Sequence, residues 1–251
     1  MSKEMQVAVK AAKNAGNIIM KHYSRIEKLH YKGARDFATQ ADFDSEKSII
    51  AAIKKAFPDH SILAEESGES GSSENKWIID PLDGTHNFVV EVPLFGVGIA
   101  LERKGEVVLS VIYLPCSKEL YTAEKGRGAF LNGKRISVSP RKENFMVMFG
   151  GFWGISDPFV RKRFDRLAEK FHSDLRIPGS AVVQLAWLAS GKADGSMMLN
   201  EKPWDIAPAL IVEEAGGVVT GINGEKWTPY LTHYVAATRT LHGTIVAMAR
   251  D

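Results

Sequence analysis

Near the amino terminus, apolar residues recur every three or four positions. Met5, Val9, Ala12, Gly16, Ile19 and Tyr23 alternate with Lys3, Lys10, Lys13 and Lys21, which predicts an amphipathic helix over 5–26. A second helix is predicted over 42–57, with Ile49, Ile50 and Ile53 inward and Pro58-Asp59 as its stop. Ser61–Ala64 then reads as a short buried strand, 68–75 as a polar glycine- and serine-rich loop, and 77–79 as a renewed strand. Both strands run directly into acidic residues.

From 95 to 121 the chain is rich in Val, Ile, Leu and Tyr, punctuated by Lys104-Gly105 and Pro115. Gly126, Gly128 and Asn132-Gly133 follow, and together these predict an antiparallel meander. The second half begins with an apolar stretch at 145–149 and a glycine-rich turn. Pro158–Phe171 reads as a helix with Phe164, Leu167 and Phe171 inward, and its Arg161-Lys162-Arg163 run as a solvated face. A buried helix is expected over 180–190, closed by Gly191, then a strand over 193–199 and a helix over 206–215 ended by Gly216-Gly217. Helices and strands mixed through one chain, without a repeat of fixed period, predict an α/β (α+β) layered fold.

The 251 residues are 45% hydrophobic and 25% charged, which excludes disorder, collagen and coiled coil. A chain of this length buries roughly three quarters of its unfolded surface, enough for one domain with two lobes, 1–140 and 141–251. Thirty-two Lys and Arg against 30 Asp and Glu leave a net charge of +2. That balance is far from what phosphate backbones or anionic lipids reward, so neither a nucleic-acid nor a membrane partner is expected. Lys3 and Glu4 interrupt the start, and no run of about 18 apolar residues occurs, so a cytoplasmic protein is expected. Cys116 stands alone and cannot form an internal disulfide. It reads as a buried small residue.

Candidate chemistry concentrates at Asp80-Pro81-Leu82-Asp83-Gly84-Thr85-His86-Asn87-Phe88, at the exit of an apolar strand. Two carboxylates three apart converge on one hard cation if the chain turns between them, and Pro81 and Gly84 supply the turn, which also exposes the Leu82 carbonyl. Oxygen-only ligation points to Mg²⁺, Mn²⁺ or Ca²⁺ rather than zinc. The same peptide also satisfies plain turn chemistry. Glu65-Glu66-Ser67 leaves the earlier strand in the same way, and neighbouring strands would bring both acid pairs to one crevice. Asp205, in Pro203-Trp204-Asp205-Ile206-Ala207-Pro208, falls near a helix N-cap because Pro208 is tolerated only in a first turn; capping and metal ligation are both open to it. Asp36 and Asp42 form a further acidic pair ahead of the second helix, where Thr39 or Asp42 caps. Of seven histidines only His86 lies within a candidate site.

Taken in order, Asp36 to Asp42 (DFATQAD), Ala64 to Ser67 (AEES), Trp77 to Phe88 (WIIDPLDGTHNF), Gly179-Ser180-Ala181 and Trp204 to Gly217 (WDIAPALIVEEAGG) resemble the inositol monophosphatase family of lithium-sensitive, Mg²⁺-dependent phosphatases. The resemblance spans nearly the whole chain. It implies a layered αβαβα sandwich of the sugar-phosphatase type and hydrolysis of a small phosphate ester by in-line attack of activated water. Residue by residue, it makes Glu65, Asp80, Asp83, Asp205 and the Leu82 carbonyl ligands of two or three Mg²⁺ ions, with Mn²⁺ as the alternative. It makes Glu65 and Thr85 the groups that orient and deprotonate water, with Asp42 behind Thr85, and the 32–36 segment a mobile loop. Gly84, Thr85 and His86 would meet phosphate, while Gly179, Ser180, Ala181 and Asp205 would meet substrate. It also implies a homodimer and inhibition by Li⁺.

The sequence departs from the family pattern at Ala64, often Gly, and at His86, often Thr. A larger departure lies seven residues before Asp205, where inositol-preferring members carry a glutamate. Here Met198 stands, with Glu201 nearby but out of register. The resemblance therefore implies myo-inositol 1-phosphate as first substrate, with fructose 1,6-bisphosphate or histidinol phosphate as rivals. A cation-stabilised binding protein is the non-enzymatic alternative.

Overall fold

The computed structural model describes residues 1–25, 28–33, 36–151 and 157–250. Expectations for Ile26, for part of the 32–36 segment and for part of the glycine-rich turn after Phe149 lie outside those residues.

The chain opens with α1 (Lys3–His22), the hairpin β1 (Leu29–Tyr31) and β2 (Phe37–Thr39), and α2 (Gln40–Ala56). Then come β3 (Ser61–Ala64), β4 (Gly68–Ser70), β5 (Asn75–Asp83), the single turn α3 (Thr85–Val89), β6 (Gly96–Arg103), β7 (Glu106–Leu114), β8 (Glu119–Glu124), β9 (Ala129–Leu131) and β10 (Lys134–Ile136). They make an eight-stranded sheet ordered β10-β9-β8-β7-β6-β5-β3-β4, antiparallel except where β3 runs beside β5. The second half supplies β11 (Val147–Gly151), α4 (Pro158–Phe171), β12 (Leu175–Arg176), α5 (Ala181–Ala189), β13 (Gly195–Leu199), α6 (Pro203–Ile206), α7 (Leu210–Glu214), β14 (Val218–Gly221), β15 (His233–Ala237) and α8 (Arg239–Ala249). Its five-stranded sheet is ordered β12-β11-β13-β15-β14.

Three apolar clusters bind these elements into layers. Met5, Ala8, Ala12 and Ile19 of α1 and Ile49 and Ile53 of α2 meet Ile79, Ile99 and Val111 on the outer face of the large sheet. Val182, Leu185 and Ile211, from α5 and α7, fill the space between the two sheets. Val160 and Leu167 of α4 and Leu241 and Ile245 of α8 cover the small sheet from outside. The result is the helix–sheet–helix–sheet–helix sandwich expected.

Local chemistry accounts for the element ends. Ser2 Oγ accepts from Met5 N at 3.1 Å and starts α1. At Gly16 a Cβ would stand 2.4 Å from the Tyr113 ring, so glycine lets α1 lie directly on β7. That helix ends at His22, four residues earlier than expected, because Tyr23 is extended and Ser24 has φ 62°. α2 begins with a capping box: Thr39 Oγ1 accepts from Ala41 N, and Asp42 accepts from Thr39 N at 2.7 Å. α4 occupies the expected span because Asp157 caps it and Pro158 begins it.

Four expectations need correction. The 68–75 loop contains β4, which pairs antiparallel with β3. Arg163 is not solvated. It is 2% exposed, donates from Nε to the Ala249 carbonyl at 2.7 Å and lies 3.5 Å over the Phe159 ring. Cys116 is half-buried against Met20 rather than buried. The 206–215 helix is divided: α6 starts at Pro203, a 3₁₀ turn covers Ala207–Ala209, and α7 resumes at Leu210. Pro208 has no N–H for an α-helical bond, so the chain tightens around it rather than starting there.

Candidate active site

The parallel pair β3/β5 determines where the first acids go. Both strands point the same way, so Glu65 and Asp80 leave neighbouring strand ends, and Glu65 N donates to the Ile79 carbonyl at 3.2 Å. β5 continues past Asp80 with a bulge against β6, pairing Asp80 with Gly98 and Asp83 with Gly96. Within the bulge Leu82 N donates to Asp80 Oδ1 at 3.1 Å, and Ser45 Oγ on α2 donates to the Pro81 carbonyl at 2.8 Å. Gly84 then turns the chain into α3 at φ 83°, where a Cβ would stand 2.9 Å from the Leu94 carbonyl.

The second half brings the other carboxylate. Asp205 is the third residue of α6, so it caps by reaching back: its Oδ2 accepts from Lys202 N at 2.8 Å. Carboxylate oxygens of Asp80, Asp83 and Asp205 all lie within 4.8 Å of one another. Among the described residues, neither Lys nor Arg forms an ion pair with any of the three. Asp83 is aimed from the start of α5, where the Ser180 hydroxyl donates to Oδ2 and Val182 N does so at 2.8 Å. Glu65 sits beside the triad, and its Oε1 is 3.1 Å from Lys32 Nζ, which also holds Glu66 at 2.6 Å.

Packing these acids together out of water makes their charges costly. Burial pushes the Asp205 carboxyl up to about 7, with Asp83 adding to the effect, and pushes Glu65 up to about 8 against the pull of Lys32. Burial, then Glu65 and Asp83, hold Asp80 well above the ordinary carboxylate range. Asp83 is raised less freely, because burial is opposed by the donors from Ser180 and Val182. The donor set is carboxylate and carbonyl oxygen with neither imidazole nor thiolate, and it carries unneutralised charge, so it fits a hard divalent cation such as Mg²⁺.

Thr85 occupies the first turn of α3. Its hydroxyl donates toward Leu82 O at 3.0 Å or Asp42 Oδ1 at 3.2 Å. Asp42 is wholly buried and also accepts from Thr39 N and Thr39 Oγ1, each at 2.7 Å, yet burial still pushes it up to about 6. The acid read as a helix cap therefore both caps α2 and backs Thr85.

These residues open onto one cavity of about 570 Å³. Gly84, Thr85 and His86 lie on it from the first half of the chain, Gly179, Ser180 and Ala181 from the second, so every residue assigned to the site except the buried Asp42 reaches its wall. Met198 also reaches it, at the position where the family pattern has glutamate, and Glu201 does so despite being out of register. Sequence reasoning placed Asn87 in the candidate peptide without a role, which is to tie α3 through Nδ2 to the Leu94 and Pro178 carbonyls at 2.7 and 2.8 Å, and it missed Gln184. A polar residue in the otherwise apolar stretch Ala181–Ala189 was the available signal for Gln184. Glu214 is structural, accepting from Gly126 N and Gly128 N at 2.7 and 2.6 Å.

Comparison with known proteins agrees with this architecture. The sequence profile described as "Inositol monophosphatase family" matches residues 1–251. Nus factor SuhB of Pasteurella multocida (strain Pm70) is 40% identical over 247 residues, covering 94% of this chain and 92% of the relative. The structure of extragenic suppressor protein suhB from Bartonella henselae superimposes with a TM-score of 0.94 at 35% identity, over 100% of this chain and 99% of that one. The IMPase of Thermotoga maritima gives 0.90 at 33%, over 99% and 97%.

Proposed function

This chain belongs to the inositol monophosphatase family, and on that premise we propose that it is a Mg²⁺-dependent phosphomonoesterase acting on a small polyol or sugar phosphate, with myo-inositol 1-phosphate the leading substrate. The observation that carries this reading is the convergence of Asp80, Asp83 and Asp205 on one point of a cavity large enough for such an ester. Those three side chains, Glu65 and the Leu82 carbonyl would hold the ions. Bound Mg²⁺ supplies neutralisation of the phosphoryl oxygens and a lower pKa for water.

The chain's own residues account for the remainder. Thr85 commits its proton to Leu82 O or Asp42 Oδ1, which leaves its lone pairs free to accept from an attacking water. Glu65 takes one proton of that water as its oxygen bonds to phosphorus, the ester P–O bond breaks and the departing alkoxide takes a proton from solvent in the open cavity; Lys32 stabilises the Glu65 carboxylate beforehand. Amides at the start of α3 and the His86 ring receive the phosphate. The amides and hydroxyl at the start of α5 keep Asp83 aimed throughout. No side chain forms a bond to phosphorus, so inversion is expected.

Fructose 1,6-bisphosphate and histidinol phosphate differ from this substrate only in the leaving group. Phosphate release from all three at equal enzyme and Mg²⁺ ranks them. A kcat/KM for myo-inositol 1-phosphate well below either rival would displace it, and no Mg²⁺-dependent release from any would defeat the phosphatase reading. One finding favours a second reading: the Pasteurella relative is named a factor rather than an enzyme. A binding role, alongside catalysis or in its place, would leave this chain's acidic site as a cation-stabilised structural element.

A further inference from the structure

Three consecutive amides lead from the end of β13 into α6, and each is committed to a different acceptor. Asn200 N donates to Nδ1 of His233 at 3.0 Å, Glu201 N to the Thr232 carbonyl at 2.9 Å, and Lys202 N to Oδ2 of Asp205 at 2.8 Å. The first two acceptors stand at the start of β15, which pairs antiparallel with β13 and sets His233 opposite Leu199. The third is a carboxylate of the triad. The buried Glu201 carboxyl hydrogen-bonds Asp205 as well. The 200–202 loop therefore sets the aim of Asp205, and the start of β15 sets the loop.

Asn200 needs that support. Its φ of 60° lies in the left-handed region, where a residue other than glycine persists because its surroundings hold it. Here the holder is a side chain. An amide N–H can only donate, so Nδ1 of His233 carries no proton and the ring is the neutral tautomer protonated at Nε2. The ring lies against Phe159, with 4.8 Å between centroids. Burial, then Arg163 on α4, hold it below its ordinary value of 6.5, opposed by the Thr232 backbone and by Asp157 at the cap of α4. Resting on the phosphomonoesterase reading above, we propose that His233 is a positioning residue for the metal site: its Nδ1 fixes the 200–202 loop and so holds Asp205 in the triad. It touches neither ion nor ester. Losing the acceptor frees Asn200 N, and the effect falls on ion binding rather than on the choice of ester.

The test is Mg²⁺ affinity, measured by titration into chelator-treated wild type, His233→Asn and His233→Phe. Asparagine places Oδ1 close to where Nδ1 stands, accepts from Asn200 N and does not titrate. Phenylalanine keeps the contact with Phe159 and accepts nothing. Partners behind metal ligands are worth about 10–100-fold in affinity, so at neutral pH His233→Phe binds about 10-fold more weakly while melting cooperatively, and His233→Asn binds as the wild type does. As pH falls below 6.5 the wild type loses affinity faster than His233→Asn, since both lose the carboxylates alike and only the wild type loses the acceptor. That comparison holds even where His233→Phe does not fold. A folded His233→Phe with wild-type affinity, His233→Asn as weak as His233→Phe, or parallel pH profiles overturns the role of His233 and leaves the phosphatase reading intact. Wild-type protein that binds no Mg²⁺ defeats the metal reading itself.

Discussion

The two walls of the cavity are built in opposite ways. On the metal side, Asp80, Leu82, Asp83, Gly84 and Thr85 are consecutive or nearly so, and backbone amides, a bulge and a helix start fix them. On the leaving-group side, Gly150, Gln184, Met198 and Glu201 come from three elements and a loop, and meet only through strand pairing and packing. On the proposed function the first wall would handle what every phosphate ester has in common, and the second what distinguishes one ester from another. Most of what would meet the phosphate then lies in one short peptide, joined by Glu65 and by Asp205 from the second half, while the residues that would meet the leaving group are dispersed through the fold.

This contrast predicts that changes on the metal wall strike all substrates alike. Asp83→Asn removes a carboxylate from the triad and should lower kcat/KM by more than about 10²-fold, since even outer-shell partners of metal ligands are worth 10–100-fold. Phosphate release from myo-inositol 1-phosphate and from fructose 1,6-bisphosphate should fall by the same factor. A loss confined to one ester would break the division between the walls.

Changes on the other wall should be unequal. Gly150→Ala forces Met198 and Gln184 to move, with a stability cost of about 1–3 kcal/mol. Urea unfolding measures that cost. The order of preference among esters should change while turnover of the poorest one falls least.

The smallest effect concerns pH. Asp42, Asp205 and Glu65 are pushed up to about 6, 7 and 8, so the metal-free folded chain retains protons that the unfolded chain releases. Stability from these groups is full below their ordinary values near pH 4 and is lost as pH rises toward 8. Melting temperatures of chelator-treated protein should decline across that window, and Mg²⁺ should flatten the decline by taking the place of the protons. A decline of equal slope in excess Mg²⁺ would separate the acids from the ion.

Sequence legibility followed the same division. The acidic strand exits, the Thr39 and Asp42 cap and the span of α4 were readable because their determinants are local: a strand end, a capping box, an Asp before a Pro. The pairing of β4 was not, since only the presence of β3 makes a Gly-Ser segment extended. Burial of Arg163 was equally hidden, because the Ala249 carbonyl that compensates it lies at the far end of the chain. Gln184 acquires its orientation from Ser196 across a helix–strand contact, and Glu201 reaches the cavity because its loop turns back beside β15. None of these dependences has a signature in residue spacing.

The most direct test of the central claim is calorimetric titration of Mg²⁺ into chelator-treated protein, alongside Asp83→Asn. The triad predicts saturable binding to the wild-type chain and its loss in the variant, with both proteins still folded. Saturable binding that persists unchanged in the variant, or none in the wild type, would contradict it.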